Sequence, residues 1–214
     1  MDIVLYYAPN TCALAPYITL TEAGAAFEVR SLDFGRDQHL SADYVKINPK
    51  HKVPLLVVDG QKLTESTAIQ LWISRQFPDA RLLPSDPWDE LKAISTMSWC
   101  SSGIHPYLTR INNTSKVCDV PDAHGNVRTK AEAFLQEAFV LAEEMLTGRE
   151  FFFDRFTAPD AHFFWCCRRA TQFEVDLAPF TNTAAHFARM HDRPSVQKLL
   201  AFEAEVKAEF QSAA

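Results

Sequence analysis

At 214 residues the chain has room for one large domain or two small ones, and 47% apolar against 22% charged residues lets it build a core rather than remain a disordered tail. A net charge of −6 excludes the basic face of a nucleic-acid binder, and no apolar run is long enough to span a bilayer. Five cysteines, at positions 12, 100, 118, 166 and 167, form an odd, irregular set without a CxxC pair, which points to a reducing compartment. Met1 and Asp2 lead directly into strand-forming residues without a charged leader, so a cytoplasmic protein is expected.

Residues 2–7 read as a first strand. Asn10 and Thr11 then lead into a helix that ends near Gly24, with Leu14, Tyr17, Ile18 and Ala25 at helical spacing. Pro16 fits only in the first turn, which puts the helix start close to Cys12. A strand over 27–32 completes a parallel βαβ unit. A short helix over 41–47 ends at Asn48 and Pro49. Residues 55–58 and 62–64, joined by Asp59 and Gly60, predict a hairpin, and 66–76 a closing helix. This βαβαββα order is that of a thioredoxin-like domain, assigned to 1–78, with 79–87 as a Pro- and Asp-containing linker. Beyond it, 88–116, 128–147, 158–171, 181–191 and 195–212 read as helices and 119–126 as a connecting loop. The fold class expected is therefore α/β plus all-α, with an all-helical domain over 88–214.

Pro54 opens an apolar strand and cannot donate to a ladder, and a cis bond before it would make a sharp turn that leaves the backbone groups of Val53 facing outward. Glu65 and Ser66 stand where the next helix begins, a place suited to a carboxylate and an amine. Cys12 lies near another helix start, whose partial positive charge favours thiolate; against this stands the role of a small buried core thiol. Tyr6 and Tyr7 point to opposite faces of their strand; Tyr6 is taken as a wall of the substrate site and Tyr7 as packing. Thr11 is either a hydroxyl donor to a thiolate or a helix cap. Thr157 and Asp160 form a capping-box pattern ahead of Phe163, Phe164, Trp165, Cys166 and Cys167, a run apolar enough for a central helix.

Taken together, Tyr6 through Cys12, Val53 and Pro54, Thr64 through Ser66, the capping box and Arg193 through Gln197 resemble the glutathione S-transferase family, most closely its bacterial beta class, over essentially the whole chain. The resemblance implies an enzyme that activates the glutathione thiolate against an apolar electrophile, with glutathione as cosubstrate and no metal or bound cofactor. It implies Cys12, His105 and Thr11 as catalytic; Val53, Pro54, Glu65, Ser66, Lys52 and His51 as glutathione contacts; and Tyr6, Tyr107 and Trp165 as electrophile contacts. Glu65 would face the ligand's ammonium and Ser66 its carboxylate, while His51 or Lys52 would meet the glycyl carboxylate. His105 is equally readable as a packed histidine, and Pro106, where the family commonly has lysine, predicts a disturbed helix. A homodimer is implied. Two other functions stay open: glutathione-dependent thiol–disulfide exchange through Cys12, and a non-catalytic ligand- or protein-binding role.

Overall fold

In the computed structural model, which describes residues 1–212, the chain divides into two compact units. One comprises Met1–Leu82 together with the segment from Asp192 onward, and the other is Leu83–His191. The break falls inside the linker read from the sequence, but the last helix groups with the α/β unit rather than with the other helices.

The first unit contains β1 (Ile3–Tyr7), α1 (Leu14–Glu22), β2 (Glu28–Ser31), α2 (Ala42–Ile47), β3 (Leu55–Val58), β4 (Gln61–Thr64), α3 (Ser66–Gln76) and α9 (Pro194–Ser212). The sheet order is β2-β1-β3-β4, with β1 parallel to β2 and antiparallel to β3. β1 is apolar throughout and buried on both faces, as a strand covered by helices on each side must be. The period-two alternation sends Tyr7 toward Tyr17 of α1 and Phe202 of α9, and Tyr6 toward Tyr44 of α2. Asp59 and Gly60 both have positive φ, 47° and 83°, the geometry of the two-residue hairpin turn expected between β3 and β4.

The second unit contains α4 (Pro87–Trp99), α5 (His105–Asn112), α6 (His124–Met145), α7 (Ala158–Gln172) and α8 (Thr181–His191). Helix α7 packs against α4, α5 and α8, and Phe163, Phe164, Cys166 and Cys167 are fully buried on it. Its start is fixed by Asp160, whose Oδ2 accepts from the Thr157 backbone N–H at 2.8 Å and from its hydroxyl at 2.9 Å. The other oxygen accepts from Phe152 N at 3.0 Å and lies 2.9 Å from His186 Nε2. One carboxylate therefore ties the preceding loop, α7 and α8 together, although the sequence pattern had pointed only to the cap.

Helix limits in this unit differ from expectation, and α5 stops at Asn112 rather than at 116. Helix α6 begins at His124 rather than at 128, because a short 3₁₀ turn over Pro121–Ala123 runs straight into it. The helix expected over 88–116 is interrupted by a π-helical turn, Cys100–Ile104. Pro106 supplies the cause: it has no N–H to give, and its ring crowds the carbonyl four residues back. The backbone widens, and His105 N–H bonds instead to Cys100 O, five residues back. No helix among the described residues is long and apolar enough to cross a membrane.

Candidate active site

Three of the residues singled out from the sequence converge in the α/β unit. Cys12 sits in the turn that winds into α1, where Ala15 N–H bonds to its carbonyl at 3.2 Å. Its thiol points to Val53 O at 3.8 Å, next to the cis Val53–Pro54 bond, and the hydroxyl of Ser66 at the start of α3 hydrogen-bonds to it. Cys12, Val53 and Ser66 are all buried, with 9%, 7% and 6% of their surface exposed. Three separate chain segments thus deliver a thiol, a carbonyl and a hydroxyl to one spot.

The electrostatics of that spot differ from the expectation for a helix start. Burial pushes the Cys12 thiol up to about 11, while the Ser66 hydrogen bond, a backbone hydrogen bond and Lys52 pull it down and Glu65 adds to the rise. Desolvation of the anion outweighs the helix-end charge, so Cys12 is a neutral thiol at physiological pH. It can donate a hydrogen bond to a bound anion but does not stand ready as a thiolate.

Thr11 belongs to the scaffold of this turn. Its hydroxyl donates to Ala8 O at 2.7 Å and accepts from Ala13 N–H at 3.4 Å, so its proton is committed to the backbone. Of the two readings held for it, the geometry favours the local cap.

Glu65 has φ 71° and side chain largely in solvent, and its carboxylate is held by the ammonium of Lys50, which also donates to Thr64 Oγ1 at 2.9 Å. Lys50 was not among the expected residues. Lys52 is anchored through its carbonyl, which accepts from Tyr44 OH and Asn48 Nδ2, each at 2.7 Å, while its side chain remains exposed beside exposed His51, φ 55°. Asn48 is buried at the end of α2. An asparagine before proline was legible only as a helix stop.

Tyr6 is not an open wall. It is buried, its ring lies 5.6 Å from that of Tyr44, and its hydroxyl accepts from Arg30 Nη1 at 3.2 Å. Strand alternation aims it at α2, and the tyrosine on the other face, Tyr7, bonds to the buried carboxylate of Glu203 on α9. The same carboxylate accepts from Asn10 N–H at 2.8 Å, and Lys207 donates to Asn10 Oδ1 at 3.2 Å. Helix α9 thereby grips the loop that leads to Cys12, and Glu22 on α1 binds Arg193 at 2.8 Å at the other end of the contact.

In the helical unit His105 meets Trp165 edge to face, with ring centroids 4.4 Å apart. Beyond Trp165 lies His162, fully buried, whose pKa is driven down to about 3 by burial first and by the charge of His105 second. Tyr107 stacks on Phe134 of α6 at 5.2 Å, with Arg110 over its ring. His105 and Trp165 are thus brought together as a pair, while Tyr107 packs away on α6.

The glutathione S-transferase N-terminal domain family matches residues 1–75. Glutathione S-transferase GstA of Escherichia coli O157:H7 is 32% identical over 203 residues, covering 93% of this chain and 98% of that protein. The structure of a bacterial beta class glutathione S-transferase from Sphingomonas chungbukensis is 29% identical and superposes with a TM-score of 0.82 over 94% of this chain and 98% of its own. A sphingomonad glutathione S-transferase complexed with glutathione is 27% identical, with a TM-score of 0.83 over the same 94% of this chain and 98% of its own. A full-length relative at this identity, together with a thiol, a carbonyl and a serine gathered around a cis-proline turn, places the chain in the glutathione S-transferase family.

Proposed function

We propose that the protein is a glutathione transferase that binds reduced glutathione along the α/β unit and uses it as the nucleophile against an apolar electrophile. The observation that carries this reading is the meeting of the Cys12 thiol, the Val53 carbonyl and the Ser66 hydroxyl. In this reading the Val53 backbone pairs with the cysteinyl unit beside Pro54, Glu65 takes the γ-glutamyl ammonium, Ser66 takes its carboxylate, and His51 or Lys52 meets the glycyl carboxylate. Cys12 then donates its S–H toward the glutathione sulfur. That bond is strongest to an anionic acceptor, so it lowers the cost of the glutathione thiolate. The thiolate attacks, a sulfur–carbon bond forms, and the leaving group departs with its electron pair; the thiol proton goes to solvent.

The buried, protonated state of Cys12 supports conjugation over disulfide exchange, because exchange requires Cys12 itself as thiolate. Replacing Cys12 with Ala separates the two. Conjugation of an activated chloronitrobenzene should survive in reduced form, whereas a wild-type thiol–disulfide exchange activity that far exceeds conjugation and collapses in the variant would make Cys12 the nucleophile and overturn this assignment. Beta-class membership and a cytoplasmic homodimer complete the proposal. The five cysteines, which form no disulfide among the described residues, support a reducing compartment, and the solvent-facing Trp88 and Leu91 on α4 with Phe134 and Leu141 on α6 support a second copy.

A further inference from the structure

We infer that Lys50 is an internal stand-in for the ligand's ammonium, occupying Glu65 in the free protein and being displaced when glutathione binds. This rests on the assignment of Glu65 to the γ-glutamyl amine. The ammonium of Lys50 lies on Glu65 Oε1 and against Thr64 Oγ1, at 2.9 Å from the latter. Both ends of the pair spring from fixed backbone. Lys50 N–H donates to Oδ1 of the buried Asn48 at 3.1 Å, and Asn48 in turn holds Lys52 O. On the other side, Glu65 O accepts from Ile69 N–H at 2.9 Å as the first carbonyl of α3. The fold thus fixes the backbone from which each of these two exposed side chains reaches the other.

A primary ammonium on this carboxylate has the chemistry of the group the carboxylate is assigned to receive. Two ammonium groups side by side on one carboxylate repel, and the lysine stem is flexible enough to swing into solvent. Binding of an amine-bearing ligand therefore breaks the Lys50–Glu65 pair, and the pair re-forms when the ligand leaves. The reaction keeps the γ-glutamyl amine intact, so the same competition operates on the conjugate and speeds its release. Where release limits turnover, a weaker grip on product raises kcat.

The test titrates reduced glutathione, and a glutaryl analogue lacking only the α-amine, into wild type, Lys50→Met and Lys50→Arg. Exposed pairs of this kind predict that Lys50→Met binds glutathione about two- to fivefold more tightly at low salt, with slower dissociation. That gain should shrink at about 0.5 M salt, where such charges are screened. The analogue should bind both proteins equally, and Lys50→Arg should resemble wild type. Equal or weaker glutathione binding by Lys50→Met, or a gain shared by the amine-free analogue, overturns the inference while wild-type binding leaves the glutathione site standing. Absence of saturable binding to wild type removes both.

Discussion

Cys12 shows how burial can reverse a reading made from position. A cysteine at a helix start was expected to lean toward thiolate; in the folded chain its thiol is raised from 9.0 to about 11, with burial the largest cause. A folded value above the unfolded one stabilises the protein fully below pH 9.0, and that contribution is lost as pH rises toward about 11. Thermal melts over that alkaline range should fall less steeply in Cys12→Ser than in wild type, by about 1.4 kcal/mol per pH unit at most. Parallel curves would contradict a buried protonated thiol. His162 has the opposite sign: its folded value of about 3 lies below the ordinary 6.5, so its contribution is present above 6.5 and lost on acidification toward 3. His162→Phe should therefore flatten the acid limb of the stability profile. The residues whose placement was legible at this scale were those tied to backbone form: Val53 with Pro54, and Ser66 at a helix start. Lys50 escaped because a lone lysine in a polar loop has no pattern until the fold brings Glu65 to it.

Among the elements, α9 carries more of the site than its sequence seemed to promise. Val196, Leu199, Glu203 and Val206 are buried at helical spacing, so the stripe itself placed a glutamate on the core face. The helix over 195–212 was expected from the sequence, but its tie to Tyr7 and Asn10 depends on what the fold brings against Glu203. Glu203→Ala should destabilise the protein by about 3 kcal/mol, since it strips partners from Tyr7 OH and Asn10 N–H inside the fold. Chemical denaturation measures this directly, and a loss within experimental error would show that the loop ahead of Cys12 is held by other means. Pro106 was read correctly as a disturbance of its helix, but the form of the disturbance was not legible. A π turn accommodates the missing N–H without ending the helix, and the pattern of apolar residues runs through it: Met97, Cys100, Ile104 and Leu108 are all buried.

For the whole molecule, the order of elements in the first 76 residues was legible because each carries a local signal: alternation, a proline, an Asp-Gly turn. The helical half was legible as helices, though not in its long-range ties. His186 joining Asp160, and Arg193 joining Glu22, are contacts of separation that no local pattern announces. The same limit explains Tyr6, whose strand face could be deduced but not what covers that face. At this scale the proposal is that the α/β unit binds glutathione at Cys12, Val53, Glu65 and Ser66. It is tested most directly by calorimetric titration of the reduced protein with reduced glutathione at neutral pH, beside Ser66→Ala. Saturable one-site binding to the wild type is expected, weakened roughly tenfold or more by a substitution that removes a hydrogen bond to a charged carboxylate. Absence of binding, or equal binding by both proteins, would contradict it.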